Sequence, residues 1–296
     1  MGYFAKILKD SVSPDNVRLT TMEVTYPRVV HAEMMTHRVF SRNSASSRAV
    51  PIEKMLKRVE EDVFLPVWWG KTQKGMQAEE ELKGYELQKA KQYWTEARDK
   101  IVSIVTDLHR VGLHKQITNR LLEPFLWHTA IITATEWENF FALRCDKATQ
   151  PELYEIANMM KVVYDASEPE EIKFGRWHLP LVSDVTALTS EGHSIEDIKR
   201  ICVGRCARVS YLTHNGVRDP KADIELCNRL LFSGHMSPFE HCARPMSRDD
   251  VKQILLQPGV TGVDKLDLDP SVTFGGNFRG WVQMRKELPN EAVFRA

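Results

Sequence analysis

The pattern of apolar and polar positions predicts one strand early in the chain. Residues 17–30 are rich in valine, threonine and tyrosine, which favour extended backbone. Pro27 is expected to end this strand, before a short helical turn over residues 32–36. Residues 41–48 are small and polar, so they are predicted to form a loop, and the aromatic segment 66–74 is predicted to form another.

Helices are predicted through most of the remaining chain. Apolar residues at helical spacing or capping residues indicate helices over 88–110, 118–126, 133–143, 152–164, 194–202, 219–232 and 249–256. Pro151 and Ser194 are expected at helix starts, and Gly112 and Gly234 at helix ends. Residues 167–181 are predicted to be a connector, and 273–285 to end in strand or helix. Because helix outweighs strand, the predicted fold class is α+β.

Composition narrows the kind of partner. Lys plus Arg and Asp plus Glu number 40 each, so no global field attracts nucleic acid or an anionic membrane. An anionic ligand must be held by a local basic cluster, which suits a small phosphorylated molecule better than a polymer. No window approaches the roughly 20 apolar residues of a membrane helix. Reduced thiols and a cytoplasmic location are expected from the few, odd-numbered cysteines: Cys145, Cys202, Cys206, Cys227 and Cys242.

Three polar clusters carry candidate chemistry. Residues 35–51 combine three arginines with six hydroxyl or amide side chains, which match phosphate geometry, although a solvated loop is the alternative. Asn139 and Arg144 lie on an otherwise apolar predicted helix, where the alternative is a salt bridge from Arg144 to Asp146 or a neighbouring acid. Residues 234–241 place two histidines and a glutamate around a proline turn, and a helix cap followed by a turn is the alternative there.

The segment THRVFSRNSASSR, residues 36–48, resembles the signature of the flavin-dependent thymidylate synthases, the ThyX family. The positions that match the signature are His37, Arg38, Ser41, Asn43, Ser46 and Arg48. Thr36 stands where the family has its first arginine. ENFFALRCD, residues 138–146, resembles the family's Asn-Phe-Leu-x-Leu-Arg-x-Asp. NRLLEP, residues 119–124, resembles its upstream substrate-arginine segment, with Arg120 matching.

Two further family elements appear in a rotated order. CARVSY (206–211) and GHMSPFEH (234–241) resemble a pair that precedes the signature in the family but follows it here. The resemblance therefore implies one circularly permuted catalytic domain with long helices around a small antiparallel sheet. Residues 17–164 would match the family's central and C-terminal part, and 198–241 its N-terminal part. Residues 243–296 form an extra tail.

The resemblance implies a homo-oligomer, a tetramer or dimer, with active sites at subunit interfaces. It implies FAD, hydride from NADPH, and transfer of methylene from methylenetetrahydrofolate to C5 of dUMP, without a cysteine nucleophile. Arg48 and Arg120 would hold the phosphate, and Ser46 and Arg144 would be the catalytic residues, with Arg144 stabilising negative charge on the pyrimidine. The implied cofactor-binding residues are His37, Arg38, Asn43, Asn139, Ser210, His235, Ser237 and Glu240. No metal site is expected.

Several positions depart from the family pattern. Ser44 stands where the family has glutamate, and Thr133 and Thr135 stand where it has asparagine and a flavin-binding arginine. The contacts that bind FAD must therefore differ from those of the family, unless Arg42 or another residue compensates. Residues 277–286 of the tail are a candidate for such a role, and a surface strand is the alternative.

These departures leave other functions open beside thymidylate synthesis. If water rather than hydride captures the exocyclic methylene, the product is a hydroxymethyl nucleotide made from dUMP or dCMP, as phages that modify their DNA need. An inactive nucleotide- or flavin-binding assembly protein is a second alternative. A nucleic-acid-binding protein that uses residues 38–48 is a third, and the zero net charge argues against it.

Overall fold

The computed structural model describes residues 2–216, 218–255, 269–289 and 291. The fold is α+β, as the sequence predicts. The strands of the described residues are β1 (Phe4–Val12), β2 (Arg18–Pro27), β3 (Ser41–Ser44), β4 (Trp127–Ala134), β5 (Glu170–Glu171), β6 (Ala243–Pro245) and β7 (Trp281–Gln283). The helices are α1 (His31–Met34), α2 (Ile52–Glu61), α3 (Gly84–Arg110), α4 (Lys115–Leu121), α5 (Glu138–Arg144), α6 (Pro151–Asp165), α7 (Val185–Ser190), α8 (Ile195–Ala207), α9 (Pro220–Phe232), α10 (Arg248–Leu255) and α11 (Met284–Glu287).

Within the described residues, five strands form a sheet in the order β3-β4-β2-β1-β5, and β6 pairs with β7 in a separate small sheet. The pairs β1–β2, β2–β4 and β3–β4 are antiparallel, whereas β5 joins β1 in parallel over two residues. Met22 lies opposite Ile132, and Thr21 lies opposite Thr133. Because side chains alternate along a strand, this register gives the sheet one apolar face and a second face, here called the polar face, on which Thr21 and Thr133 lie beside the buried Ile131.

The apolar face holds one of the main clusters of the core. Met22, Val24 and Ile132 pack in the same buried cluster as Phe140 of α5 and Ile156 of α6. Burial of such side chains contributes roughly 1.5 to 3 kcal/mol each to the free energy of folding. The aromatic residues of α5 and the apolar stripe of α6 therefore anchor both helices to this face.

Two predictions of local structure are wrong. Ser41–Ser44 belongs to the predicted loop 41–48 but forms β3, because it pairs with β4 and buries Ser41 and Asn43. The sequence predicts that residues 127–132 separate two helices and that residues 133–143 form the second of them. Instead Trp127–Ala134 forms β4 in the interior of the sheet. A short apolar run fits a buried strand as well as a helix, and pairing on both edges decides between them here.

Most other predicted elements are confirmed. Gly112 follows α3 with a φ of 84°, a left-handed conformation that glycine adopts without a steric cost. Pro151 is the first residue of α6. Ser194 caps α8 in a reciprocal capping box with Asp197. The predicted helix 249–256 corresponds to α10, with its last residue outside the described part of the chain.

No helix in the described part of the chain is long and apolar enough to cross a membrane. All five cysteines are free thiols.

Candidate active site

The polar face of the sheet carries a buried chain of hydrogen bonds. The hydroxyls of Thr21 and Thr133 lie 2.7 Å apart across β2 and β4. Thr21 Oγ1 also lies 2.8 Å from His178 Nε2, and Thr133 Oγ1 lies 2.8 Å from His241 Nδ1. All four side chains are fully buried. Since His241 directly follows the 3-10 turn Ser237–Glu240, this chain fixes the turn against the sheet.

Both histidines of this hydrogen-bond network, His178 and His241, are neutral near neutral pH. Burial lowers the pKa of His241 to about 3. Burial holds the pKa of His178 well below 6.5, with smaller effects from Lys9 and His241. A neutral imidazole offers one donor and one acceptor, so it can join a hydroxyl network without placing a charge in the core.

The signature segment lies beside residues from the far end of the chain. The amide of Ser46 donates to the carbonyl oxygen of Ser210 at 3.1 Å. The Asn43 side chain donates to the carbonyl oxygen of Cys206 at 3.4 Å. The structure therefore brings together residues 41–48 and 206–211, which are separated by more than 150 positions in the sequence.

These segments form one wall of an open cleft of about 700 Å³. Six of the predicted site residues line it: Asn43, Ser46, Arg48, Ser210, His235 and Ser237. Arg229 and His114 are further lining residues that the sequence did not single out. No aspartate or glutamate is among the described residues that line the cleft. Arginine, histidine and serine without a neighbouring acid form a donor set for an anionic ligand.

Arg48 and Arg120 differ in their surroundings. Arg48 is exposed and has no ion pair with any residue that the structure describes. Arg120 Nη1 lies 3.4 Å from Glu123 Oε1, and the same oxygen accepts a hydrogen bond from Ser47 at 2.7 Å. Arg120 does not line the cleft but is linked to the signature segment through Glu123 and Ser47.

Arg144 contacts a different part of the signature. Its Nε donates to His37 Nε2 at 2.9 Å, and its Nη2 donates to Thr36 Oγ1 at 3.1 Å. The pKa of His37 falls to about 4 because the ring is buried and lies near Arg144 and Arg42. The alternative of a salt bridge from Arg144 to Asp146 is wrong, because the guanidinium turns to His37 and Thr36, while Asp146 accepts the Ala148 amide at 2.7 Å.

Three further predicted residues lie outside the cleft lining. Arg38 and Asn139 are exposed and make no side-chain hydrogen bond to described residues. Glu240 forms an ion pair with Arg285 of α11. Arg42, suggested as a compensating cation, donates to the carbonyl oxygens of Met34, Met35 and His37 at 3.1 to 3.3 Å. Its guanidinium therefore caps the end of α1.

Within the C-terminal segment, residues 269–289, the stretch 278–284 packs into the core and does not form a surface strand. Phe278 and Trp281 are fully buried, and Trp281 Nε1 donates to the carbonyl oxygen of Val17 at 3.0 Å. The β7–β6 pairing brings this segment next to the Ser237–Glu240 turn. The alternative of a surface strand for residues 277–286 is therefore wrong.

The segment also binds the hydroxyls at the edge of the polar face. Gln283 Nε2 donates to Ser41 Oγ at 2.9 Å and to the carbonyl oxygen of Glu240 at 3.1 Å. The Arg279 amide donates to Thr135 Oγ1 at 3.1 Å. Sequence reasoning did not identify Gln283 or Arg279 individually, since their partners are far away in the chain.

The cleft is suited to a ligand that combines a phosphate with a ring system. Arg48, His235 and the serine hydroxyls provide the donors, and Leu226, Leu230 and Tyr211 add apolar surface. Among the described residues, no group of three His, Cys, Asp or Glu side chains is arranged to hold a metal ion.

Comparison with known proteins gives one family. The family model described as "Thymidylate synthase complementing protein" matches residues 10–170, more than half of the chain. No curated protein sequence matches. A crystal structure of a UMP/dUMP methylase PolB from Streptomyces cacaoi bound with 5-Br UMP has a TM-score of 0.46 at 14% identity, over 55% of this chain and 89% of that chain. The structure titled as the same methylase bound with 5-Br dUMP has a TM-score of 0.42 at 15% identity, over 55% and 90%. The family assignment rests on the family model.

Proposed function

Since this chain belongs to the thymidylate synthase complementing protein family and is thereby a one-carbon transferase, we propose that it alkylates C5 of a pyrimidine deoxynucleotide. The proposed reaction converts dUMP to dTMP with methylenetetrahydrofolate as the carbon donor, FAD as the cofactor and NADPH as the reductant. A small phosphorylated substrate agrees with a chain of zero net charge whose basic groups are gathered locally.

One observation carries this proposal: the cleft beside the signature segment is lined by cations and hydroxyls without an acid. Arg48 is unpaired among the described residues, so an incoming phosphate does not have to displace a carboxylate. A guanidinium binds phosphate through two parallel hydrogen bonds. We assign Arg48 and Ser46 to the phosphate and the nucleotide, with Arg120 nearby on α4.

Arg144 is proposed to stabilise negative charge on the pyrimidine during alkylation at C5. In one chain it contacts His37 and does not line the cleft. We therefore propose that the functional unit is a homo-oligomer, in which the end of α5 from one copy completes the cleft of another. His37 accepts the hydrogen bond from Arg144 as a neutral ring, which holds the guanidinium in a defined orientation.

FAD is proposed to be held by His37, Arg38, Asn43, Asn139, Ser210, His235, Ser237 and Glu240. When bound, the flavin supplies the redox chemistry, and the protein supplies orientation and charge. Thr133 and Thr135 are not assigned to FAD, because their hydroxyls bind His241 and the Arg279 amide within the protein. The family's contacts at those two positions would therefore be replaced by contacts elsewhere in the cleft.

The circular permutation is also a proposal, and the contacts of the signature segment support it. Residues 206–211 and 234–241 both contribute to the cleft that residues 43–49 line. A rotated chain order preserves such contacts if the former termini lie close together.

The test is to purify the protein, record its absorbance at about 350 to 500 nm, and incubate it with substrates. The incubations contain dUMP or dCMP and methylenetetrahydrofolate, each with and without NADPH. We expect flavin absorbance and a methylated product from dUMP that requires NADPH. A product heavier by a hydroxymethyl group would replace this proposal with a hydroxymethylase. A colourless, inert protein would favour the inactive assembly protein.

A further inference from the structure

Helix α9 presents one face to the cleft. Leu226, Arg229, Leu230 and Ser233 all line the cleft, and Arg229 and Leu230 each lie three or four residues from Leu226 and Ser233, as on a single helix face. Capping by Asp219, whose carboxylate accepts the amides of Lys221 and Ala222, fixes the start of the helix. The position of Arg229 in the cleft is therefore set by the whole helix and not by a flexible loop.

Arg229 is a cation without a partner in the described part of the chain. Its guanidinium is exposed and forms no ion pair. Glu225 lies one turn earlier on α9 but does not pair with it. Asp223 is buried between Arg205 at 3.1 Å and Arg208 at 2.6 Å. The acids of α9 therefore leave the charge of Arg229 uncompensated, and the cleft itself offers no carboxylate.

The signature segment carries a second unpaired cation among the described lining residues, Arg48. Arg48 lies shortly after β3 in the chain. His114 and Gln116, at the start of α4, also line the cleft, and Lys115 between them donates to the carbonyl oxygen of Ala49. Leu226 and Leu230 add apolar surface on the α9 side. Two arginines on separate elements, with apolar surface in the same cleft, match two anionic groups that are bound in one cleft beside a ring system.

We infer that Arg229 is a ligand-binding residue that recognises a second anionic group, in addition to the group bound by Arg48. The shared chemistry is a phosphate or carboxylate that accepts hydrogen bonds from a guanidinium. Two ligands of the proposed function carry such a group beside a ring system: FAD has a pyrophosphate, and the folate has glutamate carboxylates. The inference rests on the proposed function only for the names of these ligands.

The experiment compares wild type with Arg229→Gln, Arg229→Lys and the control Lys221→Gln, which removes a cation from α9 outside the cleft. Dissociation constants are measured for sodium pyrophosphate, FAD, riboflavin and tetrahydrofolate at low ionic strength. Loss of one charge-assisted contact should weaken the affected anionic ligand about tenfold or more in Arg229→Gln. Riboflavin lacks phosphate, so its affinity should stay unchanged, and Arg229→Lys should recover part of the loss.

The pattern of affinities across these ligands identifies which anionic group Arg229 binds. Weaker binding of pyrophosphate and FAD assigns Arg229 to a phosphate, and weaker binding of tetrahydrofolate alone assigns it to a carboxylate. Wild-type affinities for every anionic ligand in Arg229→Gln, or an equal loss in Lys221→Gln, overturn the inference. If wild type binds pyrophosphate through Arg229 but binds neither FAD nor tetrahydrofolate, the proposed function fails and the inference stands. If wild type binds none of the anions, both fail.

Discussion

The two faces of the central sheet are built from alternate residues of the same strands but differ in chemistry. On one face, Met22 and Ile132 pack with the aromatic and aliphatic side chains of α5 and α6. On the other face, Thr21 and Thr133 bind each other, His178 and His241 through hydroxyl and imidazole groups. Both faces are buried, so the difference does not follow from solvent exposure.

The difference indicates a division of roles. Apolar burial contributes most of the favourable free energy of folding and has little directional preference. A buried hydrogen bond contributes little net free energy, but a partner left without its bond costs about 1 to 3 kcal/mol. The polar face therefore selects one arrangement for the segments resting on it, including the Ser237–Glu240 turn and the C-terminal segment.

The largest expected effect is a loss of enzymatic activity. It tests whether the active site lies only on the polar face of the sheet or also includes a residue of a helix on the apolar face. Arg144 is the last residue of α5, which packs on the apolar face. We expect Arg144→Ala to lower kcat/KM by about 100- to 1000-fold, the usual loss of a group that stabilises transition-state charge. The free energy of unfolding should change little, because Arg144 is partly exposed.

The same variant has a readout that needs no substrate. Because Arg144 helps to lower the pKa of His37, that pKa should rise from about 4 when the guanidinium is removed, as measured by an NMR titration. Full activity in Arg144→Ala would make the site assignment wrong. An unchanged His37 titration would contradict the contact itself.

The next effect concerns the apolar face. Ile156→Ala should lower the free energy of unfolding by about 2 to 5 kcal/mol, because it leaves a cavity in the buried cluster. Denaturant titration measures this loss, and ligand affinity should be retained in the folded protein. Val162→Ala, at an exposed position of the same helix, is the matched control and should cost far less. Equal losses in the two variants would contradict the assigned core.

The third prediction concerns the polar face. Thr133→Val preserves side-chain shape but leaves Thr21 and His241 each short of a partner. We expect a loss of about 2 kcal/mol in the free energy of unfolding. Val24→Thr makes the reciprocal change on the apolar face and should also destabilise, since it buries a hydroxyl among apolar side chains. A Thr133→Val protein more stable than wild type would show that the hydroxyl chain is dispensable.

The smallest effect is a pH dependence. Above about pH 6.5 His241 is neutral in both the folded and the unfolded protein, so it adds no pH dependence there. Below that value the unfolded chain binds a proton that the folded ring, with a pKa of about 3, does not. The contribution of His241 should therefore lower the free energy of unfolding by about 1 kcal/mol between about pH 7 and pH 5.5.

His241→Asn isolates this contribution. The other buried histidines remain in the variant, so the difference between the two pH profiles reports on His241 alone. The variant should lose less stability on acidification than wild type, as followed by denaturant titration at several pH values. Parallel profiles would mean that His241 is not held neutral by burial.

Local features of the fold were predictable because they depend on residues a few positions apart. The Ser194 cap, the Pro151 start of α6 and the Gly112 stop all act within one or two helical turns. The residue types of the signature segment also predict an anion-binding role, which stays a prediction. The resemblance to the family also implied a rotated order of its sequence segments. The match of the family model confirms the family itself.

Features that join distant residues were not predictable from local patterns. The apolar run of residues 127–134 fitted a break between helices until pairing with β2 and β3 made it a strand. Arg229 and the contacts of the C-terminal segment carried no recognisable signal in the sequence. The reason is that a guanidinium or a hydroxyl has the same chemistry everywhere along a chain, whereas its partners are chosen by the topology that brings them within hydrogen-bonding distance.

The sequence by itself therefore determined the kind of chemistry available, particular helix ends such as those at Pro151, Ser194 and Gly112, and the polar character of the signature. Only the tertiary structure decided that Ser46 meets Ser210, that Thr133 meets His241, and that Arg144 turns toward His37 rather than Asp146. These choices depend on strand register and helix packing over more than 60 intervening residues each, and no pattern of neighbouring residues encodes them.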